Sequence, residues 1–182
     1  MNEISNLLKS IHQAASPSHG DRGMLAALRR GFSEATESYA WPYLAPHCDI
    51  TDSRQRIIWQ TVAGAAAILA PQGLERSGAG VGNMGATLRK LAFGASSERG
   101  DKALSSFENR FRRLLTCQTT EELCRHIINP IRAASAKAIP VDVEQLFWDL
   151  QKWENPSEPT TKLKWAQVYW MGEDARKGEG VS

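Results

Sequence analysis

The sequence predicts an all-α protein: a helical bundle of about seven to eight helices in two packed sub-bundles, with no β-sheet. Apolar residues recur at helical spacing through most of the 182 residues, and prolines and glycines interrupt these runs. No stretch alternates apolar and polar residues with the β-branched enrichment that strands show. Because 42% of the residues are hydrophobic, the chain can bury a core of ordinary size.

Four helices are predicted in the N-terminal half. The first covers residues 3–15, and the second begins at Asp21, whose carboxylate can cap it. The next stretch contains Trp-Pro and Ala-Pro pairs, which indicate a loop with one short turn of helix. The third helix, 53–70, follows Asp52 as its cap, and its alanines allow a neighbour to approach closely. The fourth covers about 83–93.

Four further helices are predicted in the C-terminal half. A long one begins near residue 101, and Thr-Thr-Glu-Glu at 119–122 resembles a capping box for the next, which Pro130 is expected to bend. Asp142 caps the third. The last, about 160–172, is apolar nearly all round, which predicts that it is wedged between elements or against a partner.

The domain organisation follows from a connector containing glycine and serine at 95–101. The length suits one large domain or two small helical ones. We therefore divide the chain into an N-terminal helical part, 1–95, and a C-terminal helical bundle with a short frayed tail, 96–182.

Composition and the N-terminus predict a cytoplasmic protein that does not contact a membrane. No apolar run approaches the ~20 residues that span a bilayer, and the first residues lack the features of a signal peptide. Three cysteines are a sparse, odd number that fits reduced structural thiols. The net charge is only +2, so nucleic-acid binding would require a local concentration of basic residues.

A glycine-rich stretch in the middle of the chain contains a G-x-G-x-x-G match, formed by Gly80, Gly82 and Gly85. A dinucleotide site needs a strand before these glycines, whereas an alanine-rich helix and a proline precede them. A P-loop is excluded because no Gly-Lys-Ser/Thr follows. Two interpretations stay open: glycines that supply positive φ angles, or a loop and helix start at Asn83 that meet a nucleic-acid phosphate.

Charge is segregated along the C-terminal half. Residues 110–137 contain six basic and two acidic residues, whereas 138–160 contain one basic and five acidic residues. Two arginines of the basic stretch have an acidic residue one helical turn earlier: Glu108 precedes Arg112, and Glu121 precedes Arg125. Three others, Arg110, Arg113 and Arg132, have no such partner and are better candidates for phosphate contacts.

Catalytic and metal sites are not indicated. Cys117, Cys124 and His126 match neither a C-x-x-C nor an H-E-x-x-H pattern, and no acidic pair stands out for acid–base chemistry. We therefore predict no enzyme activity, no cofactor and no metal. Trp148 lies off the apolar stripe of its helix; we expect it to pack against other helices, with base stacking or a partner contact as the alternative.

Several motifs taken together resemble one family. They are Arg22-Gly-Met-Leu-Ala-Ala-Leu-Arg-Arg-Gly31, Gly82-Asn-Met-Gly-Ala-Thr-Leu-Arg-Lys-Leu91, Phe107-Glu-Asn-Arg-Phe-Arg-Arg-Leu-Leu115, Ile139-Pro-Val-Asp142 and Leu163-Lys-Trp-Ala166. In this order and spacing the chain resembles the CasB family, the small subunit of the type I-E CRISPR surveillance complex Cascade. Each motif alone is weak, and their ordered combination, which covers nearly the whole chain, is more specific.

The resemblance implies a non-catalytic, all-α subunit that lies beside a second copy of itself within Cascade. Its implied partners are the backbone and large subunits, the crRNA, and the target and displaced DNA strands, and its implied role is to stabilise the R-loop in antiviral defence. The basic residues expected to contact nucleic acid are Arg22, Arg29, Arg30, Arg89, Lys90, Arg110, Arg113, Arg132 and Lys137, with Arg54, Arg56, Lys162 and Lys164 as second choices. Two alternatives remain: a purely structural subunit, or a nucleotide-binding enzyme that uses the glycine loop.

Overall fold

The computed structural model describes residues 2–18, 20–76, 81–94, 101–155 and 160–171; for 101–106 and 160 it describes the backbone only. Nine α-helices lie within these ranges, and the all-α prediction is confirmed. They are α1 (Glu3–Ala14), α2 (Arg22–Arg30), α3 (Trp41–Leu44), α4 (Ser53–Leu69), α5 (Met84–Phe93), α6 (Asp101–Thr116), α7 (Thr120–Ala136), α8 (Val143–Lys152) and α9 (Thr160–Met171). The short α3 and a 3₁₀ turn, Glu37–Tyr39, occupy the predicted loop.

One detail of the prediction is corrected, because a small parallel sheet is present. Strand β1 (Glu75–Arg76) pairs with β2 (Val141–Asp142), Glu75 opposite Val141 and Arg76 opposite Asp142. Two residues per strand are too few to show an alternating pattern, so the sequence could not reveal them. The pair joins the segment after α4 to the start of α8.

Helix α4 lies at the centre of the bundle. It packs against α1, α2, α7 and α8, and its residues from Ile58 to Ala67 are all buried. The alanines predicted to allow close approach are all buried. Within the residues that the structure describes, the core is continuous from Ile4 on α1 to Tyr169 on α9. The connector 95–100 lies outside the described residues, and the division into 1–95 and 96–182 stays a prediction.

Side-chain caps fix the helix starts where the sequence placed them. The predicted caps are confirmed at Asp21, Asp52, Thr119 and Asp142, and Asn83 caps α5. Thr119 Oγ1 accepts a hydrogen bond from the Glu122 N–H at 3.1 Å. The Glu122 carboxylate accepts from the N–H of Gln118 at 2.9 Å, one residue before the donor that a standard capping box uses. Helix α7 continues through Pro130.

Helix α9 packs mainly against α5. Trp165 is completely buried, and Tyr169 stacks on Phe111 with 4.0 Å between the ring centroids. Leu163 and Met171 are 64% and 63% exposed, so the described residues cover the helix on one side only. Trp148 on α8 is also 40% exposed and makes a T-shaped contact with the neighbouring Phe147 ring, so the expectation that it is packed between helices is wrong. None of the described helices is long and apolar enough to span a membrane.

A buried carboxylate links α8 to α9. Asp149 accepts hydrogen bonds from Trp165 Nε1 at 2.6 Å and from Gln145 Nε2 at 2.8 Å. Burial raises the pKa of Asp149 above its ordinary value, although both hydrogen bonds favour the charged form. The folded protein therefore binds this proton more tightly than the unfolded chain does.

The raised pKa of Asp149 predicts a pH-dependent stability. Its contribution to the free energy of unfolding should fall as the pH rises from 3.8 through the folded-state pKa. Asp149→Asn binds no proton at this position, so the variant should gain stability relative to the wild type as the pH rises through this window. Urea unfolding of both proteins at a series of pH values measures the difference. A difference that does not change with pH would contradict the prediction.

Candidate nucleic-acid interface

A groove of about 410 Å³ lies between α6 and α7, with α5 at its base. Its lining contains two arginines and no acidic residue. We call it the α6–α7 groove, and it is lined by Leu88, Leu91, Phe107, Arg110, Arg113, Leu114, His126, Asn129, Pro130 and Ala133. The groove brings together Arg110 and Arg113, two of the three arginines that have no acidic residue one helical turn earlier in the sequence.

The positions of Arg110 and Arg113 around the axis of α6 place both side chains on the side that faces the groove. Phe111 and Leu114 are buried, which turns Arg110 and Arg113, one turn apart, towards one exposed flank of α6. The guanidinium carbon of Arg110 lies 5.5 Å from the centroid of the Phe107 ring, and Lys137 Nζ lies 5.2 Å from the same centroid. The phenylalanine thus holds one cation from α6 and one from the segment just after α7 at one edge of the groove.

Arg110, Arg113 and Lys137 make no ion pair with any residue that the structure describes. Among the described residues, no carboxylate lies within ion-pair distance of Arg110, Arg113 or Lys137, so their charge is available to an anion. By contrast, the two ion pairs that the sequence predicts, those of Arg112 and Arg125, are confirmed. Arg112 Nη2 lies 2.6 Å from Glu108 Oε1, and Arg125 Nη2 lies 2.6 Å from Glu121 Oε1.

Three other candidate arginines make contacts within the fold. Arg29 donates from Nε and Nη2 to the Ala67 carbonyl oxygen, at 3.0 and 2.7 Å. Arg89 Nη1 donates to the carbonyl oxygen of Tyr169 at 2.7 Å, at the C-terminal end of α9. The Arg30 guanidinium lies over a tyrosine ring, 5.1 Å from its centroid. Much of the hydrogen-bonding capacity of Arg29 and Arg89 therefore stabilises helix packing.

The remaining candidates are exposed but do not line the groove. Arg22 is in the first turn of α2 and Lys90 is on α5, while Arg132 shares a flank of α7 with Arg125, away from the groove. Three of the second choices contact main-chain oxygens: Arg54 that of Gln151, Arg56 that of Ile50 and Lys162 that of Cys117, at 2.8, 2.8 and 2.6 Å. Lys164 is exposed on α9.

The glycine-rich stretch has a structural explanation where it is described. Gly80 lies outside the described residues. Gly82 has a φ of +79°, which favours glycine, and Gly85 approaches α9 so closely that a Cβ would lie 2.2 Å from the Trp165 carbonyl oxygen. The first turn of α5 is buried by this contact. These observations favour the interpretation as a turn and a packing contact over a phosphate-binding loop.

Sequence reasoning missed Phe107, His126 and Asn129 as groove residues. Phe107 is only partly buried, and its ring supports two cations. His126 and Asn129 lie on the face of α7 beside its buried stripe, and this spacing in the sequence is the signal that could have found them.

Two solved structures, each described as a CRISPR RNA-guided surveillance complex, contain a chain with this fold; the second is described as pre-nicking. The first matches with a TM-score of 0.68 and 18% identity, covering 96% of this chain and 95% of that chain. The second matches with a TM-score of 0.66 and 18% identity, covering 96% of each chain. Both show that the bundle is a fold known from such complexes.

The family follows from the sequence. Residues 24–170 match the family model of the CRISPR-associated protein Cse2, so the chain belongs to this family. Cse2 is the CasB small subunit of type I-E, and the resemblance of the ordered motifs to CasB is therefore confirmed. No curated protein matches the chain in sequence.

Proposed function

We propose that the protein is a non-catalytic subunit of a cytoplasmic CRISPR RNA-guided surveillance complex, and that its α6–α7 groove binds a nucleic-acid backbone to stabilise the R-loop. One observation carries the proposal: Arg110 and Arg113 line one groove, Lys137 lies over Phe107 at its edge, and none of the three has a carboxylate partner among the described residues. Membership of the Cse2 family supplies the context.

The basic side chains of the groove suit a nucleic acid of any base sequence. Arginine and lysine bind phosphate oxygens, which are identical at every nucleotide and carry no sequence information. A complex whose guide RNA reads the target by base pairing needs this kind of contact from its other subunits. Basic residues without ion pairs at one groove also explain how a chain of net charge +2 can bind a polyanion.

The proposed partners are the other subunits of the complex, a second copy of this chain, the crRNA and the target and displaced DNA strands. The proposal involves no cofactor and no catalytic residue. Arg22, Arg30, Lys90 and Arg132 stay candidates for additional phosphate contacts, because their side chains reach the surface. Arg29 and Arg89 are weaker candidates, because their guanidinium groups bind main-chain oxygens.

Photo-crosslinking tests the assignment of the groove. A photoreactive amino acid at Asn129, which is exposed in the groove, should crosslink to nucleic acid when the complex is assembled on target DNA. The same amino acid at Gln13, exposed on α1, serves as the matched control and should give little crosslinking. Labelling each strand separately identifies which of them is bound. Crosslinks from position 129 to protein alone would overturn the proposal in favour of a purely structural subunit.

A further inference from the structure

A sulfur, a carboxylate and an imidazole meet where α6 passes into α7. The ligand atoms of Cys117, Glu122 and His126 all lie within 4.8 Å of one another. Cys117 follows the last residue of α6, and the other two lie one turn apart on α7. The sequence did not indicate this cluster, because its three members follow none of the usual zinc spacings.

Contacts within the fold orient Cys117 and Glu122, and each of the three side chains keeps an atom that can bind a metal ion. Cys117 is buried, and its sulfur lies 3.5 Å from the carbonyl oxygen of Arg113. The N–H of Gln118 donates to one carboxylate oxygen of Glu122 at 2.9 Å, while the other oxygen accepts no hydrogen bond from the described residues. His126 is half-buried, and within the described part of the chain its ring makes no hydrogen bond. The imidazole of His126 therefore keeps a nitrogen that can bind a metal ion.

We propose that Cys117, Glu122 and His126 form a binding site for a divalent transition-metal ion, with zinc as the best match. Thiolate, imidazole and carboxylate are the three ligand types that zinc takes in proteins, and three of them leave one position for water. Bonds of about 2.0 to 2.3 Å in a tetrahedron place the donor atoms about 3.3 to 3.8 Å apart. The present spacing requires only small side-chain rotations to reach this geometry.

The charges around the Cys117 thiol determine its protonation and the net charge of the site once an ion is bound. Burial raises the pKa of the Cys117 thiol and the Glu122 carboxylate raises it further, while Lys162 and Arg113 act in the opposite direction. The metal-free thiol is therefore protonated near neutral pH, and coordination must release its proton to the solvent. Zinc adds two positive charges and the proton removes one, so the site gains a net charge of about +1 on binding. Because His126 also lines the α6–α7 groove, this charge would lie beside Arg113.

Cobalt(II) is the probe for the test, because a cysteine thiolate bound to it gives an intense near-ultraviolet charge-transfer absorption. Titrating the full-length protein with Co²⁺ should produce this band, and Zn²⁺ should abolish it by displacement. Cys117→Ser should remove the band. His126→Gln should weaken Co²⁺ binding by at least about tenfold, which is the lower bound for losing even an indirect partner of a metal.

Matched controls keep the proposal falsifiable. Cys48→Ser removes a cysteine outside the cluster and should leave the titration unchanged. Glu122→Gln keeps an oxygen to accept from the Gln118 N–H and should also weaken Co²⁺ binding; it is less disruptive than a change at the buried Cys117. Circular dichroism confirms that each variant is folded. If the folded wild type gives no thiolate band, or if folded His126→Gln and Glu122→Gln bind Co²⁺ as the wild type does, the site does not exist.

Discussion

Replacing both Arg110 and Arg113 with glutamine is expected to weaken retention of target DNA by the assembled complex and to flatten its salt dependence. Each arginine that neutralises a phosphate adds about 0.7 (single strand) to 0.9 (duplex) to the slope of log K against log salt. Losing two such contacts should reduce the slope by about 1.4 to 1.8, so the affinity deficit should shrink about tenfold between 50 and 200 mM salt. Fluorescence anisotropy with labelled target DNA over a salt series measures both quantities.

The matched control removes the same charge from elsewhere on the chain. Lys9 and Arg76 are exposed, do not line the groove and are not among the candidates for phosphate contacts, so their double replacement with glutamine should change the slope much less. Equal flattening by both double variants would mean that the net charge of the subunit governs binding and that the groove is not the site. An unchanged slope in Arg110→Gln/Arg113→Gln would exclude phosphate contacts by these two arginines.

The helices and their caps could be predicted because their causes are local. The carboxylate of Asp142 accepts from an N–H only three residues later, and the apolar stripe of α4 repeats every three to four residues. The β1–β2 pair could not be predicted, because it joins Glu75 to Val141 over two residues per strand. Trp148 shows another limit. Its place off the apolar stripe was visible, but the sequence does not show whether another helix covers that side.

Contacts of charged residues could likewise be predicted where the partner is close in the sequence and not where it is distant. The ion pairs of Arg112 and Arg125 were predicted from an acidic residue four positions earlier and are confirmed. The partners of Arg29 and Arg89 lie 38 and 80 residues away, and both are main-chain oxygens, which leave no mark on the amino-acid sequence. The convergence of Lys137 with Arg110 on Phe107 depends likewise on how α6 packs against α7.

The glycine motif can be assigned to packing or to nucleotide binding by one substitution. Gly85 is buried where α5 crosses α9, and an added Cβ would lie 2.2 Å from the Trp165 carbonyl oxygen and 2.9 Å from its carbonyl carbon. These atoms belong to the backbone, so the clash can be relieved only by moving one helix away from the other. That displacement would also disturb the buried hydrogen bond from Trp165 to Asp149. It would disturb as well the hydrogen bonds from Arg89 to main-chain oxygens at the end of α9.

Gly85→Ala is therefore expected to reduce the free energy of unfolding by about 3 kcal/mol, at the upper end of the usual cost of overpacking. For a chain of this size the melting temperature should fall by about 6 to 12 °C. Gly23→Ala is the matched control, because it adds a methyl group near the start of α2, where the nearest atom is a side-chain oxygen 3.2 Å away. Alanine favours a helix over glycine, so this control should change stability by less than about 1 kcal/mol.

Thermal unfolding and nucleotide titration calorimetry of the two variants distinguish the two interpretations. If the motif serves packing, Gly85→Ala lowers the melting temperature and neither it nor the wild type binds a nucleotide. If the motif forms a nucleotide site, the wild type binds and Gly85→Ala loses binding with little loss of stability. The geometry supports the first outcome: the positive φ of Gly82 turns the chain into α5, and the missing side chain of Gly85 lets α9 lie against it. The resulting position of α5 at the base of the α6–α7 groove connects this packing to the proposed nucleic-acid site.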